Sequence, residues 1–301
     1  MSDNVITSYK GFDKNMKCRG FQYEVGKEYE IDGEIKCCSR GFHACKSPME
    51  VWGYYDMLTS RFAKVEQSGK IDKEDNSTKV CSSRIKIKTE LKLADIINIG
   101  VEWLEDITSP SKVKADGALN DNGDRRKQIG SSGNSAQIGS SGDYAKIGSS
   151  GDCAQIGSSG YSAQIGSSGD SAQIGSSGNY AKIGSGGYYA KIGSGGDCAQ
   201  IGSSGNYAKI GSSGNYAKIG SSGNYAKINS TGEDTVIMCA GNSSIAKAKV
   251  GSWITLAEWK WSDEKKRDVP ACVKTEYVDG KNIKADTWYQ LKNGKFVEVK
   301  E

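Results

Sequence analysis

The chain has 301 residues, with 40 Lys and Arg against 36 Asp and Glu and a net charge of +4. That near balance argues against a dedicated nucleic-acid binder, which carries a strong basic excess or stripe, and against an acidic DNA mimic. Apolar residues are 36% of the chain, and almost all of the excess among its 39 glycines lies in the middle third, so both ends read as ordinary folded sequence.

The first residues, MSDNVITSYK, contain no apolar core of a signal peptide, and no run reaches the length of a transmembrane helix. The nine cysteines are odd in number and follow no disulfide spacing. The expectation is a cytoplasmic protein with reduced thiols and no membrane association.

Residues 1–107 read as a small α+β domain. Ser47-Pro48-Met49-Glu50 has the form of a capping box with Pro at the first helical position, and predicts a helix with Val51, Trp52, Tyr55 and Leu58 on one face. Arg61 to Glu66 is strand-like, and Arg84 to Leu93 alternates Ile85, Ile87, Thr89, Leu91 and Leu93. A second helix follows from about Ala94, with Ile96, Ile97, Val101, Leu104 and Ile107 on one side. Residues 108–127 are polar and unperiodic, and predict a linker.

Residues 128–250 repeat with a period of nine. Twelve isoleucines run from Ile129 to Ile228 at that spacing, and Ile237 keeps the register in a degenerate further unit. The unit reads Tyr/Ser/Cys-Ala-Lys/Gln-Ile-Gly-Ser-Ser-Gly-Asn/Asp. Tyr-Ala-Lys-Ile predicts a short strand with Ala and Ile inward and Tyr and Lys outward. Gly-Ser-Ser-Gly-Asn predicts the turn, with Gly supplying positive φ and Asn or Asp tolerating it. One unit buries too little to offset its ordering entropy, so the units must stack into a β-solenoid. A flexible linker has no reason to place Ile at every ninth position. Two units per coil is the simplest geometry, giving about six coils and a rod on the order of 30 Å at ~4.8 Å per coil; three per coil stays open.

Within the array Tyr always pairs with Lys two residues on, and Ser or Cys with Gln. Duplication of whole units explains this, as does a Tyr ring sheltering the Lys stem. The expected outer face is Tyr180, Lys182, Tyr189, Lys191, Tyr207, Lys209, Tyr216, Lys218, Tyr225 and Lys227. The calcium-binding nonapeptide roll places Asp where this unit has Tyr, Ser or Cys, so calcium is not expected as part of the fold. Residues 251–301 read as a β-rich cap, with hairpin turns at Val278–Lys281 and at Asn293-Gly294. The fold class is therefore mainly β: a nine-residue-repeat solenoid between a small N-terminal α+β domain and a C-terminal β cap.

The segments Tyr9-Lys-Gly-Phe-Asp13, Cys18-Arg-Gly-Phe-Gln-Tyr-Glu-Val-Gly26, Arg40-Gly-Phe-His-Ala-Cys45 and Phe62-Ala-Lys-Val-Glu66 resemble the N-terminal domain of an uncharacterised family of phages and prophages of Firmicutes. Ile283-Lys-Ala-Asp-Thr-Trp-Tyr-Gln-Leu-Lys-Asn-Gly-Lys-Phe296 resembles the C-terminal segment that accompanies it across a variable repeat array. The resemblance covers about 1–100 and 250–301. It implies a phage or mobile-element origin and no particular activity. The repeats also resemble the β-roll head repeats of trimeric adhesins, in architecture only.

His43 is the single histidine, which excludes a two-histidine relay. A zinc site from Cys37, Cys38, His43 and Cys45, with Cys18 or Cys81, matches no standard finger spacing, and cysteines are commonly buried core residues, so no metal or cofactor is assigned. The order of elements from Tyr9 through Glu66 is similar to ADP-ribosyltransferases, but Phe-His-Ala-Cys stands in place of their Ser-Thr-Ser element and only Glu66 is near the position of a catalytic glutamate. No phosphate loop, dinucleotide fingerprint or nucleophile elbow is present. The candidate binding residues are Tyr9, Arg19, His43, Tyr54, Tyr55 and Glu66. The expected function is a non-enzymatic, phage-derived interaction protein whose N-terminal domain recognises a protein partner such as a host factor, with the solenoid as spacer or binding face. The alternatives are an ADP-ribosyltransferase-like or metal-dependent enzyme, and a virion structural component.

Overall fold

The computed structural model describes residues 5–74, 77–108, 118–120 and 125–300. The chain divides into two compact units, Met1–Trp103 and Leu104–Glu301.

In the first unit the strands are β1 (Ile6–Phe12), β2 (Lys17–Cys18), β3 (Phe21–Gln22), β4 (Glu28–Glu30), β5 (Phe42–Cys45), β6 (Arg61–Lys73) and β7 (Lys79–Leu91). Five of them form an antiparallel sheet in the order β4-β7-β5-β1-β6, and β6 also pairs with β7, so β7, β5, β1 and β6 close on themselves. Phe12, Phe42, Ala44, Ala63, Val65, Ile85 and Ile87 fill the interior, joined by Met16 and Tyr23. The alternation read from Arg84 onward is real, although the strand stops at Leu91 and Leu93 opens helix α1 (Leu93–Thr108). Ile96, Ile97, Val101 and Leu104 are buried along that helix, as the period requires.

The helix expected after Ser47 is only a 3₁₀ turn, Met49–Gly53. Ser47 Oγ does accept the Glu50 N–H, at 3.4 Å. The Glu50 carboxylate, however, binds Ser77 Oγ (2.7 Å) and Thr78 Oγ1 (2.6 Å). A long-range partner has taken the group that would have closed the capping box, and Gly53 ends the turn.

In the second unit each repeat strand pairs in parallel, in register, with the repeat strand 18 residues away, as Ile165 does with Ile147 and Ile183. There are thus two units per coil, and alternate units build two sheets of ten and nine strands. All the repeat Ile and Ala side chains are buried. The strand, though, is Lys/Gln-Ile-Gly-Ser, two residues later than expected, so Ile and Ser point inward and Lys/Gln and the first Gly outward. The Tyr, Ser or Cys that precedes it lies in the turn, with φ between 56° and 59° from Ser135 to Tyr225. The positive φ expected of Gly therefore falls on a residue with a side chain. Its N–H is fixed by a bond to the next coil, as in Tyr180 N–H to Asp197 O at 2.8 Å.

Gly is needed in this turn for a different reason. A Cβ on Gly187 would overlap the carbonyl of Gly169, its equivalent one coil earlier. The Asn/Asp column is a ladder: Oδ1 of Asn179 accepts the N–H of Asp197, and Oδ1 of Asp197 accepts that of Asn215, both at 2.8 Å.

Within the segment expected as a linker, 108–127, Ala118–Asn120 is a strand that pairs with Gln137–Gly139. Residues 109–117 and 121–124 lie outside the described residues. At the C-terminal end Trp253–Ser262 continues one sheet, and Ile245–Lys247 the other. Antiparallel strands Arg267–Tyr277, Tyr289–Lys292 and Lys295–Glu298 then finish both. Val278, Ile283, Tyr289 and Leu291 join the Ile/Ala core. Asn293 (φ 51°) and Gly294 (φ 67°) make the expected tight hairpin. Val278–Lys281 does not form a hairpin. Asp279 Oδ1 accepts the N–H groups of Lys281 and Asn282 (2.8 Å each) and shapes a loop instead.

Candidate functional site

The N-terminal unit contains a cleft of about 910 Å³. Tyr9 reaches it from β1, His43 from β5, Arg19 from the β2–β3 turn, and Tyr54 and Tyr55 from the segment just after the 3₁₀ turn. Five of the six candidate residues therefore converge. Glu66 is not among the lining residues and pairs with Lys88 at 3.0 Å. The transferase-like reading loses its carboxylate on that ground.

The floor holds a residue that the sequence did not mark. Lys10 is 4% exposed. Its Nζ donates to His43 O at 2.9 Å and lies 3.5 Å from Cys18 Sγ. It also stands over the rings of Tyr23 (5.4 Å) and Phe12 (5.6 Å). Burial pulls its pKa below the usual lysine value. The sequence signal was no more than a lysine inside the apolar run of β1.

Around Lys10 the polar groups are mutually tied. Cys18 Sγ and Tyr55 OH are 2.8 Å apart, and burial raises the Tyr55 phenol well above its ordinary pKa. Tyr23 is raised in the same way. His43 Nε2 accepts the Cys38 N–H at 2.9 Å. Burial, then the charge of Lys10, lowers the His43 pKa, which favours the neutral ring.

The rim is basic. Arg19 is exposed at φ 50°, next to Gly20 at φ 81°. Lys17, Arg40 and Lys79 also line the cleft, and Lys79 Nζ lies 4.8 Å from the Tyr54 ring centre. The lining carboxylates are Asp13 and Asp56. Asp13 Oδ1 accepts two backbone N–H groups, from Asn15 and Lys17, and Asp56 Oδ1 accepts that of Leu58. Lys79 is paired with Glu74 at 2.9 Å, and the remaining Lys10, Lys17, Arg19 and Arg40 outnumber Asp13 and Asp56, against walls of Phe21, Tyr23, Phe42 and Tyr54. Such a cleft suits an anionic group attached to a flat or apolar body.

The thiols considered for zinc have other partners, and Cys37 and Cys81 lie against each other. Cys37 donates its N–H to Asp72 Oδ2 at 2.7 Å, and Cys81 Sγ donates to Arg40 O at 3.1 Å. Cys38 Sγ faces Lys79 and Glu74. Cys45 is buried, which pushes its thiol up to about 12. Among the described residues no group of three or more His, Cys, Asp or Glu side chains is arranged to hold a metal ion.

The expected solenoid face is not one face. With two units per coil, successive units lie on opposite sheets. Lys182 and Lys218 are exposed on the nine-stranded sheet, and Lys191, Lys209 and Lys227 are half-buried on the ten-stranded one. Tyr180 and Tyr216 lie along one edge and Tyr189, Tyr207 and Tyr225 along the other. The latter rings stack on one another, Tyr189 on Tyr207 at 5.0 Å and Tyr207 on Tyr225 at 4.9 Å. These tyrosines form a stacked row along their edge.

Residues 6–99 match a family model described as a domain of unknown function (DUF7666). The match covers the N-terminal unit and leaves the repeats outside it. No curated protein and no solved structure matches the chain.

Proposed function

We propose that this is a non-enzymatic recognition protein of phage or prophage origin, acting on a protein partner in the host cytoplasm. The N-terminal cleft takes an acidic or phosphorylated group of that partner, and the solenoid is a rigid spacer or a further binding face. The observation that carries this reading is Lys10. A lysine is almost never fully buried without an acidic partner, because desolvating the ammonium is costly. Lys10 has a carbonyl and a thiol beside it and opens onto a cleft with surplus cations. An arriving carboxylate or phosphate would offset the penalty and find Arg19 at the rim. The carboxylates in the cleft are engaged in turns and Glu66 lies outside it, which supports binding over transfer chemistry.

The test is affinity purification of the tagged full chain from host-cell extract, beside an Arg19→Ala/Tyr54→Ala double variant. The expected result is a protein recovered by the wild type and depleted about tenfold or more with the variant, equivalent to ~1.4 kcal/mol. Identical recovery by both chains would remove the cleft from recognition.

A further inference from the structure

The nine-stranded sheet of the second unit carries an open trough of about 880 Å³ along its outer face, unrelated to the cleft. Pairing register fixes its composition. One outward row runs Lys146, Gln164, Lys182, Gln200, Lys218 and continues without a break into Val236, Trp253 and Tyr277. The parallel row is Gly130, Gly148, Gly166, Gly184, Gly202 and Gly220, ending in Met238. Nothing lies within 4 Å of where a Cβ would stand on any of those six glycines. The lining contains three lysines and no carboxylate. Trp253 and Tyr277 are both exposed, with ring centres 5.0 Å apart.

We infer that this trough binds a linear acidic polysaccharide, a chain with one uronate per disaccharide. The even row of cations without an opposing acid calls for a polyanion. The trough is open along its face, and its period belongs to a polymer. Lysines recur every second coil, about 9.6 Å at ~4.8 Å per strand. That step is comparable to the length of a disaccharide in an extended chain. Duplex DNA presents a charge every ~1.7 Å, far denser than this row can match. Single-stranded nucleic acid is held by aromatic side chains distributed along the groove, about one per base. Within the outward rows the aromatic rings stand at one end, where they offer a flat platform to a terminal sugar, whereas the exposed Tyr144, Tyr180 and Tyr216 lie in the turns at the sheet edge, outside the lining. Between the lysines, Gln164 and Gln200 present amides that both donate to and accept from hydroxyls.

The experiment is calorimetric titration of the full chain with a hyaluronan oligosaccharide, with dextran as the neutral polymer and oligo-dT as the nucleic acid. The variant Lys146→Gln/Lys182→Gln/Lys218→Gln places in each position the residue that already occupies its neighbours in the row, so the solenoid is kept, and thermal melting verifies it. A charge-matched variant at exposed sites elsewhere, Lys14→Gln/Lys27→Gln/Lys300→Gln, controls for bulk charge. The wild type and the control variant should bind hyaluronan in a salt-sensitive way and ignore dextran, and the trough variant should bind at least about tenfold more weakly. No binding by the wild type, equal binding by the trough variant, or tighter binding of oligo-dT would each overturn the inference. Hyaluronan held by the cleft would be kept by the trough variant and lost from the Arg19→Ala/Tyr54→Ala variant, so the outcome is distinguishable from the partner proposed above.

Discussion

Asp197 Oδ1 accepts the backbone N–H of Asn215, its equivalent one coil further on, at 2.8 Å. The same bond recurs along both edges of the solenoid, as from Asp152 to Asp170 and from Asn206 to Asn224. It explains why Asn and Asp interchange in this column: what is required is an acceptor oxygen, not a charge. Asp197→Ala should therefore cost about 1 kcal/mol in urea unfolding, and Asp197→Asn almost nothing. Tyr188 has no acceptor in this place, so Tyr188→Asn should stabilise by a similar amount. Because these oxygens serve the backbone, a chelator is expected to leave the melting temperature unmoved. A fall of many degrees would show that the column binds calcium.

Two glycines in one unit should respond in opposite ways to the same change. A Cβ at Gly187 meets the backbone of Gly169, whereas a Cβ at Gly184 meets open space. Gly187→Ala should destabilise by about 1–3 kcal/mol or disrupt the array. Gly184→Ala should stay within about 0.5 kcal/mol of the wild type. Equal effects in denaturant melts would contradict the stacking described for this turn.

The solenoid was legible because its signal is periodic and local: every ninth Ile must face one core. The strand register was not, since Lys-Ile-Gly-Ser looks like half strand and half turn until it pairs with the same four positions one coil away. Nor could φ near 57° at Tyr189 be read from a tyrosine, since the bond that holds it comes from Asn206 on the next coil. The short turn after Ser47 was hidden similarly, because Glu50 is claimed by residues some 27 positions away. In the cleft, Tyr9, Arg19, His43, Tyr54 and Tyr55 could be named from their motifs. Their convergence depends on the β5-β1-β6 order, and the burial of Lys10 depends on the closed sheet, neither of which is local.

Lys10 makes a pH-dependent prediction. Its pKa is lowered in the folded chain, so the unfolded chain binds the proton more strongly. Below the folded pKa both states are protonated and the burial penalty is fully present. As pH rises from there toward the ordinary value near 10.5, the native chain releases its proton first and gains stability relative to the unfolded chain. Lys10→Met should thus unfold at higher urea than the wild type near pH 7, with an advantage that shrinks toward pH 10. A difference that does not change with pH would show that the amine is not penalised by its site.

The core of the solenoid is one Ile deep, and Ile183 is 3% exposed within it. Ile183→Asp places an unpaired carboxylate there, at a cost of several kcal/mol. Loss of the cooperative melt and of the far-ultraviolet strand signal is expected, and an unchanged spectrum would argue against the Ile stack.

Whether recognition resides in the cleft or in the repeats is tested most directly by removing repeats in register. Deleting Ile165 to Gln200 takes out four units of nine, which is two whole coils, and joins Gln164 to Ile201. The solenoid's stability is close to a sum of unit and neighbour terms, so the shortened chain should fold and melt cooperatively. The measurement is recovery of the protein partner by this variant, relative to the full chain, in the same affinity purification. Undiminished recovery is the predicted result. Loss of the partner from the shortened chain, with its retention by the Arg19→Ala/Tyr54→Ala variant, would place recognition on the repeats and contradict the account.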